Sequence, residues 1–377
     1  MPKQRKPSPI QNGTELLEKY ASGEKNFEAA NLWKADLRAA KLAGINLRQA
    51  VLFRAVLNDA VLAIANLSET DLVRADLRSA RLDRSNLNQA NLYEADLSDA
   101  SLVITNLSQA TLERATLSRC DLSQANLRQA NLSQADLTQA DLTQADLTEA
   151  LLSKAILFKA VLQRANFTDA TLEGADLRHA LLNKAVLSQA TLTEANLSNA
   201  DLSHTDLVAA NLEHALLVQA TLEKANLSQA NLLRANLSNA NLSNANLSNA
   251  DLLEANLSHA NLLGVNLLEA VLERATLTGA DFFGAGLQKA NLSQAILTSA
   301  DLREANLTGA DLRGADLTRA NLFGAELNHA KLEGAEFAGA NLYRTKLIGA
   351  DLRGAYYDEQ TEFSTKFDPQ KKGMRKR

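Results

Sequence analysis

Asn31-Leu32-Trp33-Lys34-Ala35 is followed at once by Asp36-Leu37-Arg38-Ala39-Ala40, and the same five-residue phrase runs on almost to the end of the chain. Leucine recurs at every fifth position, with alanine two places before it and most often Asn or Asp one place before. From Phe27 to Leu352 in steps of five there are 66 such positions, all Leu except Phe27, Phe167, Phe282 and Phe337, and the register never slips. On an α-helix, about 100° of turn per residue would set successive leucines about 140° apart and leave no stripe. On a straight strand, alternation would send them to opposite faces. All can face one core only if the chain turns once per repeat, which makes a solenoid of very short strands. The central Leu and the Ala two before it then point inward. The residue before Leu and the two after it point outward.

The outward residues tell how many sides each coil has. Positions 26, 46, 66, 86, 106 and 126 are all Asn, and through position 346 this column holds 11 Asn in 17 places, against 13 in 49 for the other three columns. A bias with period twenty requires four repeats per coil, so the chain winds about 16.5 coils with Asn stacked over Asn, in the manner of ladders that hydrogen-bond between stacked strands.

Ala-Asp-Leu-Thr-Gln (135–139), Ala-Asp-Leu-Arg-Gly (310–314) and Ala-Asn-Leu-Ser-Asn (235–239) resemble the repeat of the pentapeptide-repeat family. The resemblance covers residues 26–355 and implies an all-β fold, a right-handed quadrilateral parallel β-helix. Handedness comes from the resemblance and not from the spacing.

The unbroken periodicity points to one elongated domain rather than the two or three that 377 residues could form. The low aromatic content, 4%, fits a core wide enough only for Leu and Ala. Inward exceptions at the Ala position are Ile45, Thr70, Ser85, Thr105, Cys120, Thr205, Val265 and Thr345. Cys120 is the only cysteine, so no internal disulfide forms, and its inward slot makes it a core thiol. Residues 1–13 read as a disordered basic tail without the apolar run of a secretory signal or membrane span, and the default location is cytoplasmic.

Open coils expose unpaired strand edges, so both ends need covers. Residues 14–25 read as a short capping helix with Thr14 as N-cap and with Leu16, Leu17 and Tyr20 over the first coil. Residues 356–368, with Tyr356, Tyr357, Phe363 and Phe367, read as an aromatic cap, and 369–377 as a disordered basic tail. The net charge of −5 divides into +3 on residues 1–13, +5 on 366–377 and −13 on the body between them.

No catalytic set emerges. His179, His204, His214, His259 and His329 all face outward, and no two are twenty apart, so no metal site converges. Gly284-Ala285-Gly286 lacks the third glycine and the helix of a dinucleotide loop. The chain reads as no enzyme, with no cofactor. Two outward stripes break the monotony. One column holds Trp33, Phe53, Val73 and Tyr93 on successive coils, beside Lys34, Arg54, Arg74 and then Glu94. A second column holds Leu263, Phe283, Arg303, Phe323 and Tyr343. Rows of this kind resemble binding surfaces, rich in the residue types that dominate interfaces, although aromatics also suit a flat β-surface. Before the central Leu, Val51, Val56 and Val61 on one coil, then Leu151, Ile156 and Val161, then Leu181 and Val186, replace Asn or Asp. These belts read either as tolerated strand-formers or as surfaces for weak self-association.

The function expected is that of a non-catalytic scaffold presenting ladder-like faces to a protein partner. The alternative, implied by the resemblance because some relatives imitate DNA, is a regulator of a type II topoisomerase such as gyrase. Against it, Asp36, Asp76 and Asp176 each have an Arg two residues on, and the coils lack the interrupting loops of resistance-type relatives. Nucleic-acid binding through the basic ends and the first stripe ranks last, since the body is acidic.

Overall fold

The computed structural model describes residues 10–377 and divides into two compact units, Met1–Leu181 and Leu182–Arg377. Within Met1–Leu181, parallel bridges join residues twenty apart, from Asn26 with Asn46 to Val161 with Leu181. Within Leu182–Arg377 the same register runs from Val186 with Asp206 to Glu336 with Tyr356. Each unit is therefore a four-sided parallel β-helix with five residues per side.

One repeat explains the consensus, because all five of its backbone N–H groups can be traced. In residues 71–75, Asp71 N donates back to Ala50 O (3.0 Å), while Leu72 N and Arg74 N donate forward to Asn91 O and Tyr93 O (2.7 and 2.9 Å). Ala75 N closes the turn on Leu72 O at 3.0 Å. The fifth, Val73 N, is out of reach of any carbonyl and is taken by Asp71 Oδ1 at 3.2 Å. Residues 231–235 of the second unit repeat the scheme, with Leu233 N on Asn231 Oδ1 at 3.0 Å. Asn or Asp stands before Leu because its side chain supplies the acceptor that the turn leaves missing.

The turn makes a second demand. At all 66 third-turn positions, from Ala29 to Gly354, φ is positive, between 52° and 72°. A turn of this type favours Gly or Asn there, and most other residues adopt it at some cost.

The core is the Leu and Ala column system, with almost every member under 3% exposed. The buried threonine hydroxyls at the Ala position are satisfied by carbonyls: Thr70 Oγ1 on Leu67 O (2.6 Å), Thr105 on Leu82 O (2.8 Å) and Thr205 on Leu202 O (2.7 Å), whereas Ser85 Oγ is buried without a partner among the described residues. Cys120 is buried, and burial pushes its thiol well above the usual range.

The ends differ from expectation in detail. Helix α1 spans Gly13–Ala21, and its N-cap is Asn12, whose Oδ1 accepts from Glu15 N at 2.9 Å. Asn12 is extended while Thr14 already lies in the first turn, so Thr14 cannot cap. Leu16 is fully buried and Tyr20 Oη donates to Ala43 O at 2.8 Å, but Leu17, one residue and about 100° further round the helix, faces solvent. Of the expected basic tail 1–13, residues 1–9 lie outside the described residues.

At the other end, strands β1 (Asn341–Leu342) and β2 (Tyr356–Tyr357) pair in parallel with β3 (Glu362–Phe363) and β4 (Arg375–Lys376). Tyr357 meets Phe363 edge-on with ring centroids 5.6 Å apart, and Phe363 stacks on Phe367 at 5.0 Å. The disorder expected for 369–377 is corrected. A short 3-10 turn, Gln370–Lys372, leads to Gly373 in the left-handed region, Met374 is buried, and β4 covers the last coil. Three of the positive charges find partners there: Arg377 with Glu336 at 2.7 Å, Lys376 with Glu359 at 3.2 Å and Lys371 with Asp368 at 3.3 Å.

Candidate partner-binding surfaces

The first stripe follows from stacking. Lys34 N donates to Phe53 O and Arg54 N to Val73 O, both at 2.9 Å, which holds Trp33, Phe53, Val73 and Tyr93 in one row on one side of Met1–Leu181. Trp33 is 56% exposed, by far the most open aromatic of the row. Its neighbouring cations fold over the rings: Lys34 Nζ lies 4.2 Å from the Trp33 centroid and Arg54 Cζ 5.3 Å from that of Phe53. Arg74 turns away to pair with Glu94 at 2.6 Å, and that hydrogen bond, followed by one from Tyr93, holds the Glu94 carboxyl below the usual carboxylate range. The row is thus aromatic and basic at Trp33, Lys34, Phe53 and Arg54, and neutral beyond Val73.

The second stripe, in Leu182–Arg377, is tighter. Phe323 and Tyr343 stack at 6.0 Å, and Arg344 lies over both rings, at 5.6 and 5.9 Å. Arg303 covers Phe283 at 5.4 Å while its guanidinium clamps Asp301 at 2.6 Å. Leu263 and Tyr343 are the exposed ends of the row. Of the belts, Val51, Leu151, Ile156 and Leu181 are exposed, whereas Val56, Val61 and Val161 are half-buried.

A third surface escaped the sequence reading. On the side of Met1–Leu181 that carries positions 61, 81 and 101, a shallow, open groove of about 500 Å³ is lined by Ala63, Ile64, Arg81, Asp83, Val103 and Ile104, with Arg84 and Ser101. Ile64 is 68% exposed, the most open aliphatic residue of its unit. The signal was present in the sequence. Of the 66 third-turn positions only these two hold a branched aliphatic residue, and they sit in one column two coils apart.

The acidic side chains are largely engaged. Arg38, Arg78 and Arg178 clamp Asp36, Asp76 and Asp176 at 2.6, 2.6 and 2.7 Å, and Arg313 and Arg353 do the same to Asp311 and Asp351 at 2.6 and 2.5 Å. The Arg78 side chain, through its hydrogen bonds, holds the Asp76 carboxyl below its usual range. Arg353 brings Asp351 down to about 2. The histidines stay apart: His179 meets Phe158 edge-on at 5.7 Å, and His214 lies 3.7 Å from Glu213. Among the described residues no group of His, Cys, Asp and Glu is arranged to hold a metal ion, and no helix is long and apolar enough to cross a membrane.

Comparison with known proteins places these surfaces in context. The family described as Pentapeptide repeats (8 copies) matches residues 30–68, 60–99, 105–144, 135–174, 145–183, 172–207, 210–252, 250–288, 285–322 and 320–356. Among solved structures, HetL from Nostoc sp. strain PCC 7120, a protein involved in heterocyst differentiation regulation, is 30% identical. That alignment covers 83% of this chain and 97% of HetL, with a TM-score of 0.19. Rfr23 from the cyanobacterium Cyanothece 51142 is 36% identical over 26% of this chain and 63% of its own, with a TM-score of 0.24. Full-length QnrB1, a plasmid-mediated fluoroquinolone resistance protein, is 21% identical over 49% of this chain and 85% of its own, with a TM-score of 0.21. No curated protein sequence matches the chain.

Proposed function

The chain belongs to the pentapeptide repeat family of right-handed quadrilateral β-helices, and from that premise we propose that it is a non-catalytic cytoplasmic scaffold whose ladder faces hold a protein partner. The observation that carries this reading is the open end of the first stripe, where Lys34 and Arg54 lie 4.2 and 5.3 Å from the rings of Trp33 and Phe53. Aromatic and arginine side chains dominate binding energy at interfaces. Fixing them on a rigid coil before contact removes much of the ordering cost of association.

Imitation of DNA toward a type II topoisomerase is the weaker reading. A duplex mimic needs free carboxylates along its length, and the clamped Asp36, Asp76, Asp176, Asp311 and Asp351 have their charges neutralised within hydrogen-bond distance. Affinity capture from native lysate with two baits separates the readings. One bait is the intact chain; the other carries Phe53→Asp and Tyr93→Asp and is checked first for an unchanged melting curve. A partner retained by the first and lost by the second supports the stripe. The same proteins on both baits remove it, and gyrase on both favours imitation of DNA.

A further inference from the structure

The groove between Ile64 and Ile104 carries three features that are unusual for this fold and coincide on the same coils. The first is the isoleucines themselves. Both hold left-handed φ, 61° and 58°, a conformation that branched residues avoid. They expose their side chains rather than burying them, so packing does not compensate. The second is charge. Arg38, Arg48, Arg74, Arg78, Arg119 and Arg128 of the same unit form ion pairs, Arg54 lies over the Phe53 ring and Arg114 donates to Gln134 and Tyr93, which leaves Arg164 and Arg84 without such partners among the described residues. Arg84, exposed and midway between the two isoleucines in their column, has no ion pair and no side-chain hydrogen bond among the described residues. The acid beside it is occupied, since Asp83 accepts from Ser101 Oγ and lies 3.8 Å from Arg81.

The third feature is in the backbone. The turn N–H that Asn or Asp normally satisfies lacks its acceptor where the preceding column reads Lys41, Val61, Arg81 and Ser101, the one run of four successive coils in Met1–Leu181 without Asn or Asp at that position. Among the described residues, the N–H groups of Ala63, Asp83 and Val103 have no hydrogen-bond partner, in contrast to Val73 N and Ser123 N, which are held by Asp71 and Asp121. Three donors and one free guanidinium line a groove with two aliphatic walls, about 10 Å apart at two strand spacings.

We propose that this groove binds an extended segment of a partner protein in which an Asp or Glu is flanked by aliphatic side chains. Arg84 and the free turn N–H groups take its oxygens, as charge-assisted bonds favour. Its aliphatic side chains lie against Ile64, Val103 and Ile104. The groove lies on the opposite side of the coils from Trp33 and Phe53, so the proposal stands apart from the aromatic stripe.

The test is selection of displayed random short peptides on the full-length chain, followed by affinity measurement of the enriched sequences. They should carry an acid beside aliphatic residues and lose at least about fivefold in affinity on Arg84→Glu. Peptides in which Lys replaces the acid should prefer that variant. Ile64→Gly with Ile104→Gly should also weaken binding while raising the melting temperature by about 1–2 °C, since glycine relieves the left-handed strain. Loss of binding together with a gain in stability is not what a misfolded variant shows. The Phe53→Asp, Tyr93→Asp chain should bind the peptides unchanged, which separates failure here from failure of the stripe. Absence of enrichment, enriched peptides without an acid, or binding indifferent to Arg84→Glu would overturn the proposal. So would binding of inorganic phosphate or nucleic acid through Arg84 with no aliphatic requirement.

Discussion

Met1–Leu181 and Leu182–Arg377 make the same left-handed turn from different residues. In the first unit, 2 of 31 third-turn positions are glycine; in the second, 10 of 35, all from Gly264 onward. The first unit therefore fills its turns with side chains that reach from coil to coil. Gln89 donates to Gln109 (2.7 Å), Gln109 to Gln129 (3.0 Å) and Gln129 to Glu149 (2.8 Å). In the second unit the preceding coil's side chain folds down over the glycine instead. A Cβ on Gly279 would stand 2.6 Å from His259 Nδ1, and one on Gly349 would stand 2.5 Å from His329 Nδ1. One strategy adds a polar rung and accepts conformational strain. The other avoids the strain and uses the space for a neighbour. The backbone tolerates both because the core beneath is unchanged.

The equivalence of the two cores carries the largest expected effect. Leu102→Ala and Leu302→Ala remove side chains that are fully buried in the first and second unit respectively. Each should destabilise by about 2–5 kcal/mol in urea titrations, as buried leucines do. Costs differing by more than that spread would show that the two units differ below the turns as well as in them.

A smaller effect tests the glycines. Gly279→Ala meets the His259 ring, whereas Gly284→Ala meets nothing within 4 Å. The second substitution should cost about 1 kcal/mol from conformation alone, and the first more. Adding His259→Ala should bring Gly279→Ala back to the cost of Gly284→Ala in the same denaturation assay. If the two cost the same with His259 in place, the covering side chain plays no part.

The smallest effect should be common to both units, because both use Asp–Arg clamps. Paired carboxyls whose folded pKa lies below the ordinary value add stability that is complete above that value and is lost as pH falls through the folded one. For Asp351, lowered from 3.8 to about 2, the loss falls in that interval. Melting temperature should be level above about pH 5 and fall below about pH 4. Arg353→Gln should flatten part of that fall. A melting temperature indifferent to acid would mean that the clamps contribute nothing.

Most of this architecture was legible in the sequence. A five-residue period has one geometric solution, and the period-twenty Asn column specifies the four sides. The aromatic stripes were legible as rows, but not the folding of Lys34 and Arg54 onto the rings or the diversion of Arg74 to Glu94. The Ile64–Ile104 groove does not show in the pattern of aromatics at the position after Leu. Its markers lie one residue later, and matter only once that position is known to be left-handed. The order of residues 369–377 was hidden for another reason: a short basic stretch looks solvated until the strand it pairs with and the acids it meets are in place.

The Asn column has a consequence for how the chain finds its winding. Leucine and alanine look alike at every side, so a coil closed one repeat early or late would still bury a complete core. The interior cannot count to four. Along Asn26, Asn46, Asn66, Asn86, Asn106 and Asn126, however, each amide donates to the one before it, at 2.7 to 3.4 Å. A miswound coil sets Asn against Asp, Val or Thr and breaks that run of bonds, so the error is registered at the surface. The outer ladder thus works as a proofreading mark, supplying the information that a uniform core cannot carry.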